Sequence, residues 1–191
     1  MKVHERIDGR LRDFIEAQPM FFVATAPSGP DGHVNVSPKG MGGTFVVLGD
    51  HRVAYLDYHG SGAETIAHLT ENGRITLMFC AFQGPPNIVR LHGRGVAVPV
   101  TSSSYADLLA LFPSPPDTHG VRSVIDVTVD RVSDSCGYAV PLMSYEGDRD
   151  LLIRSHSRRT EEDLADYRRV KNAHSIDGHP VFAEPVAPQA G

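Results

Sequence analysis

Short segments in which hydrophobic and polar residues alternate recur along most of this chain, and such alternation is typical of β-strands with one buried face. In the clearest case, Val34 and Val36 lie on one face of a segment whose other positions are polar. The segments predicted as strands, by alternation or by a continuous apolar run, are 20–26, 33–37, 45–48, 52–58, 74–82, 87–100 and 122–132. Gly49-Asp50, between the third and fourth of these segments, predicts a β-hairpin.

Helices are predicted in the connections, where apolar residues recur at helical spacing. The first covers residues 3–18 and ends before Pro19. Three later segments begin with a serine or threonine followed three residues on by an acidic residue, which is the pattern of a capping box. These pairs are Ser61 with Glu64, Ser104 with Asp107, and Thr160 with Asp163. Gly73 is expected to end the first of these three helices, because glycine readily adopts the left-handed conformation.

Many short strands, with helices confined to their connections, indicate a mainly β (α+β) fold rather than a doubly wound parallel sheet. Strands of this number predict an antiparallel barrel that is closed or nearly closed. We expect an N-terminal helix over residues 1–18, a barrel domain over 19–135, and a C-terminal extension over 136–191. The extension is expected to contain one helix, started by Thr160, and a loosely ordered tail after residue 177.

Composition and charge narrow the classes of function. The chain has 191 residues, of which 41 % are hydrophobic, and a formal net charge of −5. The lack of a basic excess argues against a nucleic-acid partner, and no apolar stretch approaches the ~20 residues that span a bilayer. The charged start of the chain, MKVHER, lacks the apolar run of a signal peptide, so a cytoplasmic protein is expected.

Familiar catalytic motifs are missing from the sequence. No glycine-rich loop has the spacing of a dinucleotide or nucleoside-triphosphate site, and no Gly-x-Ser-x-Gly elbow occurs. The ten histidines and two cysteines do not fall at zinc-ligand spacing, so no metal site is expected. The chemistry has to be sought at strand ends and turns.

Three segments combine a strand end with groups that bind anions. Residues 34–40 end a strand in the sequence SPKG, which places a cation at the strand edge. Residues 55–65 run from a strand through a glycine-rich turn into a helix start, whose unpaired N–H groups and positive dipole end suit a phosphate. Residues 88–95 form a strand that carries Arg90 and Arg94 on one face.

The order and spacing of these three segments resemble the flavin-binding strands of the pyridoxamine 5′-phosphate oxidase-like family. The resemblance covers residues 19–132. It implies a six-stranded antiparallel split β-barrel with short flanking helices, usually assembled as a homodimer. It also implies FMN in the groove between subunits, with the phosphate at the turn and helix start, and a small-molecule substrate.

The resemblance also assigns cofactor-binding residues position by position. Lys39 would lie near the flavin ring or its ribityl chain, residues 55–57 would line the ring edge, and Arg90 would face the same groove. The residues from the turn and helix start would hold the phosphate. The full set is Ser37, Lys39, Tyr55, Leu56, Asp57, Ser61, Gly62, Thr65 and Arg90. No catalytic residue is assigned, since hydride transfer to a flavin requires no acid or base beyond the cofactor.

Three departures from the family pattern bear on function. The classical oxidase has Ser-Arg-Lys at the phosphate helix, where this chain has Ala63-Glu64-Thr65, and Ile88 replaces a glutamine. The terminal motif that grips the classical substrate is not recognisable. We therefore expect an FMN-dependent oxidoreductase other than the classical enzyme, acting on an unknown small substrate. The alternatives are a reductase that binds the deazaflavin F420, a flavin-binding module without turnover, and a cofactor-free dimeric barrel.

Overall fold

The strands join into one antiparallel sheet in a computed structural model of the chain, which describes residues 1–182. The strands are β1 (Lys2–His4), β2 (Met20–Thr25), β3 (Asn35–Gly40), β4 (Phe45–Gly49), β5 (Arg52–Tyr58), β6 (Arg74–Cys80), β7 (Ile88–Pro99) and β8 (Val121–Ser135). The helices are α1 (Gly9–Glu16), α2 (Glu64–Asn72), α3 (Tyr105–Leu109), α4 (Leu151–His156) and α5 (Glu161–Lys171). The tail predicted to be loosely ordered falls mainly on residues 183–191, which lie outside the described residues.

The two longest strands form the middle of the sheet. Hydrogen-bonded neighbours run in the order β3-β2-β6-β7-β8-β5-β4. Strand β1 pairs with residues 132–134 of β8, which follow the part of β8 that pairs with β5. The register of β7 with β8 shifts between His92 and Gly93, and a Cβ on Gly93 would overlap the carbonyl oxygen of Thr128. The close approach of the two backbones therefore requires glycine at this position.

Aromatic side chains from four strands meet inside the barrel. Phe21 of β2 lies 5.1 Å from Phe45 of β4 and 5.5 Å from Tyr55 of β5, measured between ring centroids. Phe79 of β6 stacks on Phe21 at 5.4 Å. Since β2 and β4 are not neighbours in the strand order of the described residues, side-chain packing rather than strand pairing closes this side of the barrel.

Two helices cover the barrel core. α1 buries Leu11 and Ile15 against it, and α2 buries Ile66 and Leu69. Their apolar residues lie three or four positions apart, as expected for one buried helix face. Among residues 1–182, no helix combines the length and the apolar character that crossing a bilayer requires.

The split barrel expected from the sequence is confirmed, with eight strands in the sheet where six were expected. The N-terminal segment differs from the predicted helix over residues 1–18. Val3 pairs with Ser133 of β8, so the chain starts as a strand. The helix begins only at Gly9, after Asp8, whose carboxylate accepts the N–H of Leu11 at 2.8 Å.

The predicted helix boundaries are partly confirmed. The capping box at Thr160 is present, and Gly73 ends α2 with a positive φ of 71°. α2 begins after Ala63 rather than Ser61, and no side chain caps it. Ser104 precedes α3 without a capping hydrogen bond from its side chain. In its described part, residues 136–182, the C-terminal extension contains two helices, α4 and α5, where one was predicted.

Candidate functional site

A fully buried carboxylate, Asp57 near the end of β5, lies at the centre of the site. Its Oδ1 accepts a hydrogen bond from Lys39 Nζ at 2.7 Å, and its Oδ2 accepts one from Arg122 Nε at 2.6 Å. Burial alone would raise the pKa of Asp57, but the charges of Arg122 and Lys39 outweigh burial and hold this pKa well below its ordinary value. The ionised carboxylate therefore joins β3, β5 and β8 by charge-assisted hydrogen bonds.

Arg122 extends this cluster to the turn before α2. Its side chain is 3 % exposed, and it donates from Nη2 to the Gly62 carbonyl at 2.7 Å and from Nη1 to Asn172 Oδ1 at 3.0 Å. Asn172, at the end of α5, donates in turn to the Gly60 carbonyl at 2.9 Å. Two buried side chains therefore hold the turn 60–62 through its backbone carbonyls.

The direction of these carbonyls fixes where the neighbouring N–H groups point. A trans peptide unit is planar, and its C=O and N–H lie on opposite sides. The carbonyls of Gly60 and Gly62 both accept from Arg122. The N–H groups that follow them, on Ser61 and Ala63, therefore point away from the guanidinium. Because no side chain caps α2 at Ala63, the N–H groups of its first turn are also available to an anion.

The inward face of β3 forms the opposite wall of a polar groove. Asn35 Nδ2 donates to Thr65 Oγ1 at 3.1 Å, which connects β3 with the first turn of α2. Ser37 Oγ donates to Asn35 Oδ1 at 3.0 Å. Lys39 follows on the same face, since residues two apart on a strand share a face. We call the space between β3 and the turn 60–62 the β3–α2 groove. Its cavity measures about 490 Å³ and is lined on the β3 side by residues 33–36, so Ser37 and Lys39 lie beside it rather than in its wall.

A carboxylate of α2 itself extends into this groove. Glu64 lies over Gly62, with its Oε2 2.8 Å from the position that a Cβ would take there. Its Oε1 accepts the N–H of Ile176 at 3.4 Å. Asp177 Oδ1 lies 2.6 Å from His33 Nδ1, so the segment around residue 176 forms the outer rim of the groove. The Glu64 carboxylate thus lies at the helix end that favours an anion.

Two predicted residues of β5 direct their side chains away from the groove. Tyr55 is completely buried in the barrel core, where burial raises the pKa of its hydroxyl well above the ordinary value. Leu56, on the opposite face of the strand, packs in a second apolar cluster with residues of α3 and α4. Because β5 is buried on both faces here, only the backbone of these two residues is left to line a ring edge.

Arg90 lies on the opposite face of the sheet from Lys39. Lys39 pairs with the inward Phe21, whereas Arg90 pairs with Met78 on the outer face and donates to Ser135 Oγ at 3.2 Å. Val89 and the other alternate residues of β7 point inward, which turns Arg90 outward. A single chain therefore does not bring Arg90 to the groove where the resemblance placed it.

Sequence reasoning missed Arg122, Asn172 and Asn35. One signal existed for Arg122: it shares a strand face with Val124, inside a segment of mostly buried residues. Asn172 and Asn35 are polar residues at a helix end and a strand start, which is where such residues usually occur, so nothing marked them. Within residues 1–182, no three histidine, cysteine or acidic side chains are arranged to hold a metal ion.

His59 is a buried neutral histidine beside the turn. It is 2 % exposed, its Nδ1 lies 2.9 Å from the Gly120 carbonyl, and its Nε2 lies 3.0 Å from Arg168 Nη1. A guanidinium can only donate, so Nε2 accepts and Nδ1 carries the proton. Burial lowers the pKa of His59 to about 4, which leaves the ring uncharged at neutral pH.

We expect acid to destabilise the fold through His59. Its pKa is about 4 in the folded chain and about 6.5 in an unfolded one. Protons therefore bind preferentially to the unfolded chain as the pH falls from about 6.5 towards 4. His59→Gln, which does not titrate, should lose about 2 kcal/mol less free energy of unfolding than the parent chain between about pH 7 and pH 5. Urea unfolding at both pH values measures this. The exposed His51, replaced by Gln, is the control, and equal pH dependence in both variants would contradict the assignment.

Comparisons with known proteins agree with this architecture. The family profile described as pyridoxamine 5′-phosphate oxidase matches residues 7–136. The chain is 43 % identical over 141 residues to the pyridoxamine 5′-phosphate oxidase family protein ustO of Aspergillus flavus, a match covering 73 % of this chain. The chain spans only 56 % of the length of that relative.

A solved structure, HupZ of Group A Streptococcus, is similar in fold. It aligns with a TM-score of 0.53 and 17 % identity over 72 % of this chain and 99 % of HupZ. Identity this low supports the shared split barrel alone, whereas the profile match covers more than half of the chain, including the whole of the barrel domain. The chain belongs to the pyridoxamine 5′-phosphate oxidase family.

Proposed function

We propose that this protein is an FMN-binding oxidoreductase that holds the flavin phosphate in the β3–α2 groove. The observation that carries the proposal is the orientation of the turn 60–62, whose carbonyls Arg122 holds and whose N–H groups point away from it. Together with the uncapped start of α2, this turn directs several backbone donors at one anion. When bound, the flavin supplies the redox chemistry.

The side chains around the groove fit a phosphate and the polar chain attached to it. Ser61 and Thr65 carry hydroxyls at the turn and helix start, and Asn35 and Ser37 place polar groups along β3. The Lys39 side chain stays 23 % exposed while Asp57 holds its Nζ. Its positive charge would stabilise the negative charge that a reduced flavin gains near its pyrimidine ring.

We further propose that the chain forms a homodimer through the outer face of β2, β3 and β6. Phe22, Pro38 and Met78 form one row across this face, and Arg90 of the neighbouring strand β7 continues the row next to Met78. Val36 next to the row is 62 % exposed. An exposed apolar face that also carries an arginine is typical of a protein interface. A second copy packed here would bring Arg90 to the subunit boundary, where the family resemblance assigns it.

Titration with FMN tests the proposed cofactor. We expect one FMN per chain, followed by flavin absorbance and by mass after release. Lys39→Gln and Ser61→Ala should each weaken binding about tenfold, because each removes one donor to the flavin. Arg94→Gln should leave affinity unchanged, since Arg94 donates to the Asn72 carbonyl at the other end of α2.

Each outcome of this titration separates one alternative. Binding of F420 without FMN would favour the deazaflavin reductase. FMN that binds but is not reduced by NADH, NADPH or an amine would favour a binding module without turnover. A chain that binds neither flavin nor F420 would overturn the proposal and favour a cofactor-free barrel. The cytoplasmic location stays a prediction from the sequence.

Glu64 should weaken binding of the FMN phosphate by charge repulsion, because its carboxylate lies at the proposed phosphate position. Glu64→Gln removes a like charge and should tighten FMN binding about fivefold. It should leave riboflavin, which has no phosphate, unaffected. Glu71→Gln, in the last turn of the same helix, is the matched control. Equal tightening for FMN and riboflavin would place the phosphate elsewhere.

The dimer is tested by a pair of matched variants. Val36 on β3 and Val96 on β7 are both 62 % exposed. We expect the parent chain to sediment as a dimer, Val36→Glu as a monomer, and Val96→Glu as a dimer, because only the first buries a charge in the proposed interface. A monomeric parent chain, or a dimeric Val36→Glu variant, would contradict this interface.

A further inference from the structure

A second cavity, of about 700 Å³, opens at the end of the barrel where α1 ends and β2 begins. Its walls come from the turn between β3 and β4, from the loop between β6 and β7, and from the segment 143–145. No described residue lines both this cavity and the β3–α2 groove. We call it the barrel-end pocket. Its volume falls within the range of small-molecule sites, roughly 300–1,000 Å³.

The floor of the barrel-end pocket is the aromatic core of the barrel. Phe21, Phe45 and Phe79 all line it, and their ring centroids lie 5.1 to 5.4 Å apart. An occupant would therefore rest on aromatic surface rather than on polar backbone. Such a floor favours a ligand with a flat or aliphatic apolar body.

The walls add adaptable apolar surface and little charge. Met20, Met41 and Met143 come from three separate parts of the chain, and methionine side chains adjust readily to the shape of a ligand. Glu16 is the one charged side chain among the described residues that line the pocket, and it lies 3.7 Å from Arg12. A phosphate or carboxylate would find no cationic partner among these lining residues.

A strap of irregular chain, residues 142–148, crosses the mouth of the pocket. At one end, Met143 N–H donates to the Phe82 carbonyl at 2.9 Å. At the other end, the Asp148 carboxylate accepts the N–H of Gly42 at 2.8 Å. The strap therefore joins the loop between β6 and β7 to the turn between β3 and β4.

The turn under the strap contains a strained residue. Met41 has a φ of 73° and is the sole non-glycine residue with a positive φ in the described chain. Thr44 Oγ1 lies 2.9 Å from the Gly40 carbonyl and 2.8 Å from the Met41 carbonyl, which holds this conformation. Strained backbone of this kind persists only where the surrounding structure holds it, and it clusters at active sites and ligand sites.

We propose that the barrel-end pocket binds an uncharged, mostly apolar small molecule, which the strap covers. The volume, the strap and the strained turn are typical of a ligand site, and the lining chemistry favours this class of ligand. The site is independent of the proposed flavin, because the Tyr55 ring lies between the two: its centroid is 5.5 Å from Phe21 on the pocket floor and 5.9 Å from Lys39 Nζ.

Fluorescence titration of the full chain with the neutral probe N-phenyl-1-naphthylamine tests the proposal. We expect saturable binding of one probe per chain. Met143→Asp should weaken binding about tenfold or more, because it adds a charge to an apolar wall. Leu142→Asp is the matched control: this neighbouring strap residue is 79 % exposed and is not among the described residues that line the pocket. Its affinity for the probe should stay within about twofold of the parent chain.

A variant in another wall of the pocket shows whether the probe occupies the pocket itself rather than only contacting the strap. Ala17 is exposed at the end of α1 and lines the pocket from another wall. Ala17→Trp should fill the pocket and weaken binding of the probe by a similar factor. Saturating FMN should not displace the probe. Non-saturable binding, equal loss in both strap variants, an unaffected Ala17→Trp chain or displacement by FMN would each overturn the proposal. If FMN does not bind the chain, the probe titration still tests the barrel-end pocket, because it does not require the cofactor.

Discussion

The structure depends on compensating one buried negative charge. Asp57 is completely buried, and an uncompensated carboxylate in such a place costs several kcal/mol, on the order of 3–5 when one partner is removed. Lys39 comes from one end of the strand order and Asp57 from the strand next to the other end, so their contact links regions that backbone pairing leaves apart. Arg122 completes the compensation from β8 and, with its remaining donors, shapes the turn. Barrel closure and site geometry therefore have a common cause.

Sequence periodicity was sufficient to predict what depends on local pattern. The alternating segments became strands. The resemblance assigned Lys39 and Asp57 separately to a flavin site and did not predict the ion pair that joins them in the structure. Contacts between residues distant in sequence were missed. Strand β1 forms because Val3 pairs with Ser133, and the three residues of β1 contain no pattern that predicts this pairing. Arg90 was assigned by resemblance to a site between two chains, whereas the alternation of β7 turns it outward in one chain. Both features depend on which strands or chains pair with each other, and the types of residue in one segment do not reveal that.

The part of the chain beyond the family match shapes both sites. The match ends at residue 136, and the later residues close the groove, support the turn and cover the pocket. Ile176 and Asp177 form the rim of the β3–α2 groove, and Asn172 holds the Gly60 carbonyl. The strap over the barrel-end pocket comes from the same extension. The barrel thus provides the family scaffold, while the extension contributes to the walls of both cavities.

The turn 60–62 is held by contacts to its main chain, and this separates its shape from its side chains. Arg122 and Asn172 donate hydrogen bonds to backbone carbonyls, which are present whatever the side chain of the residue. The exposed side chain of Ser61 is free to vary while the loop keeps its path, whereas a Cβ at Gly62 would lie 2.8 Å from Glu64 Oε2. Over evolutionary time such a loop can accept single substitutions at residue 61 without a change in its path. Diversification at this site would then proceed without loss of foldability.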